Sequence, residues 1–189
     1  MTCPPVSVCI PVYNGAAFIA AAVESVLKQT FGAFELIVLD NASTDETPRI
    51  LAQFDDARLR IIRHASNIGA SANFNAALNE ARGEWVKILC ADDLLYPGCL
   101  EQQLQNAVLS GKDAPVLLCC ARDVIDAGGR RWMRRAFSDR SGAVSGPEAI
   151  RRSVRAGTNL FGEPASVLMN REAALKAGGF NSAWRFCTD

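Results

Sequence analysis

Three apolar segments in the first half of the chain each run straight into an amide or carboxylate side chain. Residues 6–12 (VSVCIPV) close on Tyr13-Asn14-Gly15, residues 34–39 (FELIVL) on Asp40-Asn41, and residues 85–90 (WVKILC) on Ala91-Asp92-Asp93. Between them lie helix-like stretches. Phe18, Ile19, Ala22, Val23, Val26 and Leu27 recur at helical spacing and predict one buried face. Thr47-Pro48 suits a helix start, with Ser43 and Glu46 fitting an alternative capping box a few residues earlier. A third short strand over 59–63 is followed by the turn Ser66-Asn67-Ile68-Gly69 and a helix over 70–81. Strands alternating with helices at this spacing predict an α/β domain around a largely parallel sheet.

The pattern changes after Pro115. A strand over 116–121, a hairpin turn at Gly128-Gly129, a short helix after Pro147 and a strand over 165–169 are expected, with Asn170 capping a last helix that stops at Gly178-Gly179. The segment from Pro97-Gly98 to about Ser110 reads as another helix. At 189 residues, with no linker, repeat or low-complexity tract, residues 1–189 are expected to form a single domain.

In an open parallel sheet, ligands bind where the C-terminal strand ends deliver their loops. Asn14, Asp40 with Asn41, and Asp92 with Asp93 all fall there. Adjacent carboxylates repel unless a cation or hydrogen-bond donors compensate them. Oxygen ligands select a hard divalent ion, Mg2+ or Mn2+, whose shell is commonly completed by phosphates. The competing role for Asp92-Asp93 is to cap the helix after Pro97, but the pair comes several residues too early.

Charge excludes some partners. Twenty basic residues balance twenty acidic ones, so nucleic acid is not an expected ligand. The balance is uneven along the chain: between Arg130 and Arg155 eight arginines meet only Asp139 and Glu148. That region reads either as solvated surface or as a contact for acceptor phosphates or lipid headgroups. Seven cysteines without a C-x-x-C pattern predict reduced, mostly buried thiols, with Cys119 and Cys120 on opposite strand faces. The single histidine, His64, argues against zinc. No export signal or spanning apolar run is present, so the expectation is a cytoplasmic protein, any peripheral membrane contact being at the inner face.

The segments SVCIPVYNG, LIVLDNASTDET, NIGASANFNAALNEARGEWVKILCADD, GEPASVLMNRE and GGF, in this order, resemble the family 2 glycosyltransferases along the whole chain. The resemblance implies the GT-A fold, a Rossmann-like three-layer α/β/α arrangement with a mostly parallel mixed central sheet. It also implies an inverting transferase that takes a sugar from a nucleoside-diphosphate sugar, a UDP-sugar at family level, to a glycan or lipid-linked glycan of a cell-surface polysaccharide. By position, Pro11, Tyr13 and Asn14 would line the base pocket, with Tyr13 stacking on the base. Asp40 would bind base or ribose, Asn67 and Gly69 would shape the neighbouring loop, Asp92 would meet the ribose or sugar, and Asp93 would hold the metal. Asp189 falls where members carry the catalytic base, although Cys187-Thr188-Asp189 lacks their commoner Glu-Asp pair. Members also carry an aspartate two positions before Asp92, where this chain has Cys90. Because members continue past that base, the expectation is a chain truncated at its C-terminus. A non-catalytic nucleotide-sugar-binding module or an inactive fragment is therefore the alternative reading. A nucleotidyltransferase would need a basic, glycine-rich loop after the first strand, and a nicotinamide enzyme would need G-x-G-x-x-G there. Neither pattern occurs.

Overall fold

The computed structural model describes residues 3–109, 116–126, 128–181 and 183. Asp189, Cys187 and Thr188 lie outside the described residues, as do Pro115 and Ser110.

Strands β1 (Val6–Val12), β2 (Phe34–Asp40), β3 (Leu59–Arg63) and β4 (Trp85–Ile88) are joined by helices α1 (Ile19–Leu27), α2 (Thr47–Leu51) and α3 (Ala70–Glu80). Helix α4 (Cys99–Leu109) follows, then β5 (Leu117–Cys119), β6 (Arg122–Ile125), β7 (Arg131–Arg135), α5 (Gly146–Ala156), β8 (Val167–Asn170) and α6 (Arg171–Lys176). Six strands form one sheet in the order β3-β2-β1-β4-β8-β5. The first four are parallel, while β8 runs antiparallel to both β4 and β5. The hairpin of β6 and β7 is a separate two-stranded sheet that turns through Gly128 and Gly129.

Alternation along the strands sorts side chains onto two faces. Val6, Val8, Ile10 and Val12 of β1, with Phe34, Leu36 and Val38 of β2, pack against Ile19, Val23 and Val26 of α1, Leu51 of α2 and Leu100 of α4. Cys9, Ile37, Leu39, Val86 and Ile88 face Ala77 and Leu78 of α3, with Ala174 of α6 and Phe180 beside them. Helices thus cover both faces of a mostly parallel mixed sheet, the expected three layers.

Several boundaries differ from the sequence reading for local reasons. Strand β4 ends at Ile88 because the chain turns sharply: the amide of Asp93 donates to the carbonyl of Cys90 at 3.0 Å. The segment expected as one strand over 116–121 pairs with β8 for three residues only, then leaves the sheet to enter the hairpin. Residues 164–166 form a 3-10 turn, so the next strand starts at Val167. Phe18, placed on the buried face of α1, stands 58% exposed ahead of that helix. The six described cysteines are free thiols, but Cys9 alone among them is fully buried; Cys3 is exposed and the other four are half-buried. Asn170 caps α6 as expected, its side chain accepting from the amide of Ala173.

Leu36 is fully buried at the centre of the sheet. Leu36→Ala is expected to lower unfolding free energy by about 2–5 kcal/mol in urea titrations. Ile61→Val, on the 43% exposed flank of β3, should stay within about 0.5 kcal/mol of the parent. Equal losses at the two positions would contradict this account of the core.

Candidate active site

The loops after β1, β2 and β4 converge at one edge of the sheet, and hydrogen bonds join the first two. The amide of Asn14 donates to Ser43 Oγ at 2.9 Å, that of Gly15 to Thr47 Oγ1 at 2.9 Å, and that of Ala16 to Asp45 Oδ2 at 3.0 Å. In return Asn14 Oδ1 accepts from the amide of Thr44 at 2.8 Å. Three consecutive amides and one side chain of the loop after β1 are therefore satisfied by residues 43–47 after β2. Ser43 is thus taken up by Asn14, and the amide of Thr47 is met by Asp45 Oδ1 at 3.0 Å, so the capping box of Ser43 with Glu46 does not form. The spacing S-T-D-x-T carried this signal, but it reads equally as helix capping until the partner loop is seen.

Gly15 is required here by close approach. A Cβ at this position would lie 2.5 Å from Val12 Cγ2 and 3.4 Å from Ala91 Cβ, so the first loop can settle against the β4 loop only without a side chain. Asn14 has a positive φ of 54°, a region asparagine tolerates better than most residues.

Asp40 is buried at the end of β2. One carboxylate oxygen accepts from the amide of Ser43 at 2.8 Å, and the other meets Arg63 Nη1 at 2.9 Å. Its neighbour Asn41 holds the next loop: Oδ1 accepts from the amide of Ile68, and Nδ2 donates to Asn67 Oδ1, both at 2.9 Å. Asn67 Oδ1 also accepts from the amide of Gly69, whose φ of +86° turns the chain into α3. Pro11 is buried in β1, and Tyr13 is 49% exposed above it.

The loop after β4 is fastened from below by α1. Gln29 donates to the carbonyl of Tyr96 at 2.8 Å and accepts from the amide of Leu100 at 3.1 Å, while Ser25 Oγ accepts from the amide of Leu95 at 3.1 Å. Asp92 is exposed, Asp93 is half-buried, and helix α4 begins only at Cys99, which removes the helix-cap role from the pair. Ligand atoms of Cys90, Asp92 and Asp93 all lie within 4.8 Å of one another. Burial, the Asp92 charge and the Glu163 charge push the Asp93 carboxyl up to about 6. Among the described residues neither aspartate has an ion-pair partner. A half-buried carboxylate held beside further negative charge, without a basic neighbour, fits a cation. Cys90 Sγ lies in the same cluster, where a hard ion would take the two carboxylates in preference to the sulfur. Glu163, from the loop before the 3-10 turn, is a contributor to this corner that the sequence did not single out.

A carboxyl whose pKa is raised by folding favours the folded state while protonated. That contribution is full below the ordinary aspartate value near 4 and fades as pH rises through about 6. Asp93→Asn should therefore melt higher than the parent in metal-free buffer at about pH 8, with the gap closing at about pH 5. A gap independent of pH would contradict the electrostatic description of this corner.

A family model described as glycosyl transferase family 2 matches residues 7–178. Uncharacterized protein MT1568 of Mycobacterium tuberculosis is 31% identical over 187 residues, 95% of this chain and 57% of that protein. The succinoglycan biosynthesis protein ExoO of Rhizobium meliloti is 34% identical over 136 residues, 72% of this chain and 38% of that protein. The Escherichia coli UDP-Glc:alpha-D-GlcNAc-diphosphoundecaprenol beta-1,3-glucosyltransferase WfgD is 36% identical over 99 residues, 52% of this chain and 39% of that protein. The chain thus spans 38% to 57% of the length of these relatives. Among solved structures, S. aureus TarS 1-349 in complex with UDP superposes with a TM-score of 0.75 at 21% identity, over 97% of this chain and 52% of that one. The mannosyltransferase PcManGT from Pyrobaculum calidifontis, in complex with GDP-Man and Mn2+, superposes with a TM-score of 0.60 at 24% identity, over 95% of this chain and 48% of that one. The fold is the GT-A fold, and the chain belongs to glycosyl transferase family 2.

Proposed function

We propose that this member of glycosyl transferase family 2 is an inverting, metal-dependent hexosyltransferase that moves a sugar from a UDP-sugar to a hydroxyl of a glycan or lipid-linked glycan during polysaccharide synthesis. The observation that carries this reading is the half-buried Asp93 beside Asp92 and Cys90, without a basic ion-pair partner among the described residues, on the strand edge that also presents Tyr13 and Asp40. The similarity to the succinoglycan biosynthesis protein ExoO and the diphosphoundecaprenol glucosyltransferase WfgD supports polysaccharide and lipid-diphosphate contexts, TarS with UDP supports a uridine diphosphate, and PcManGT with GDP-Man and Mn2+ supports a divalent ion.

In this reading Tyr13 offers an exposed ring face for the nucleotide base, over the rigid floor of Pro11. Asp40, already oriented by Ser43 and Arg63, retains lone pairs for a base N–H. Asn14, Asn67 and Gly69 act by fixing loop shape: Asn14 is engaged by the loop after β2, and Asn67 by Asn41 and by the Gly69 amide. Asp92 contacts ribose or sugar, and Asp93 with its neighbours holds Mg2+ or Mn2+. When bound, the ion supplies positive charge against the departing nucleoside diphosphate. Asp189 takes the proton from the acceptor hydroxyl as that oxygen attacks the anomeric carbon, a general-base role assigned by sequence position.

Calorimetric titration of UDP with Mn2+ tests the donor half. Asp93→Ala should weaken manganese-dependent affinity on the order of 100-fold; unchanged affinity would remove Asp93 from the role of metal ligand. In a chain extended beyond Asp189, Asp189→Asn should keep UDP binding and lose transfer by about 100-fold or more. Binding with no transfer from the extended parent would favour the non-catalytic module.

A further inference from the structure

Across the β6–β7 hairpin, Arg122 and Arg135 stand directly opposite one another. Directly opposed residues share a face, and like charges there repel. Glu163 pairs with Arg122 and offsets its charge. Arg135 has no carboxylate within ion-pair distance among the described residues, and its Nε donates only to Met133 Sδ at 3.3 Å, a weak acceptor. Both arginines line a cavity of about 530 Å³, together with Arg134, Asp139, Thr158 and Asn159. Arg134 lies 3.9 Å from Asp123, and Asn159 spends its side chain on Gly162, which leaves the guanidinium of Arg135 and, opposing it in charge, the carboxylate of Asp139. The volume falls within the roughly 300–1,000 Å³ of small-molecule sites.

The position of this cavity gives its unpaired arginine a meaning. Arg122 forms part of its wall, Glu163 pairs with Arg122, and the Glu163 charge reaches Asp93. The Arg122–Glu163 pair therefore stands between the cavity and the metal corner. Tyr96, from the loop that carries Asp93, ties the hairpin to the same corner by donating to Asp123 Oδ2 at 2.9 Å. An arginine fork matches phosphate oxygens in two-pronged geometry. We propose that this cavity binds a phosphate or diphosphate group of the acceptor substrate, with Arg135 as its principal ligand and Arg122 and Arg134 beside it. The proposal rests on the donor reading above and adds an acceptor class to it, a phosphate-bearing glycan carrier. It favours a discrete anion in a cavity over a membrane surface as the partner of this arginine-rich segment.

Inorganic pyrophosphate, titrated calorimetrically with EDTA present, probes the cavity without engaging the metal corner. Wild type should bind it, and Arg135→Ala should weaken binding by about tenfold or more. Arg135→Lys keeps the charge but loses the fork, and should fall between the two. Arg49→Ala removes one positive charge from α2, away from the cavity, and should change nothing; an equal loss there would reduce the effect to net charge and overturn the proposal. UDP titration with Mn2+ on each variant confirms folding and keeps the two readings separable. Lost donor binding in the parent refutes the donor reading, whereas absent pyrophosphate binding in a donor-competent parent refutes the cavity. Vesicles of phosphatidylglycerol with phosphatidylcholine form the last arm. Arg135-dependent sedimentation with vesicles, without pyrophosphate binding in solution, would assign the arginines to lipid headgroups instead.

Discussion

The hydrogen bonds between the loops after β1 and β2 are the constraint on which the rest of the site depends. Backbone amides at 14, 15 and 16 have left the sheet and would otherwise need water or a ligand to satisfy them. Ser43, Thr47 and Asp45 take all three. That arrangement presses Gly15 against Val12 and towards Ala91, which fixes the first loop relative to the one bearing Asp92 and Asp93. Asn41 extends the same logic to the loop before α3. The active-site edge is irregular backbone whose polar groups are met by one another, so it is positioned by a rigid scaffold rather than by its own secondary structure.

Against this fixed frame the metal corner is held at an electrostatic cost. Asp93 is half-buried, faces the Asp92 and Glu163 charges, and has no cation of its own among the described residues. Gln29 and Ser25 hold the surrounding loop from α1, so the chain does not relax by turning the carboxylate outward. Under the proposed function, stability is given up at a position where a bound cation would need concentrated negative charge. Arg122 and Arg135 show the opposite sign on the neighbouring hairpin, again as like charges kept in register by strand pairing.

The sheet was legible in the sequence because its strands are short apolar runs closed by turn residues, and because burial sorts alternating side chains onto two helical layers. The hairpin turn at Gly128-Gly129 and the Asn170 cap were legible for the same local reason: each is specified by residues adjacent in sequence. The roles of Ser43, Asp45 and Thr47 were not, since a hydroxyl or carboxylate ahead of a helix looks the same whether it caps that helix or reaches about 30 positions back to another loop. The place of Glu163 and the opposition of Arg122 to Arg135 are not legible in the sequence because only strand register and tertiary approach bring these residues together. The half-burial of most cysteines reflects edge positions such as Cys119 and Cys120, where the chain departs from the sheet after three paired residues.

Hydrogen exchange on the chain with UDP and Mn2+ added together tests most directly the claim that the donor and its ion meet at the β1–β4 edge. The account predicts slowed exchange in the loops spanning 13–18 and 89–96, requiring both additives, with the flank of β3 unchanged. Protection confined to other segments, or the same protection from UDP without the ion, would contradict it.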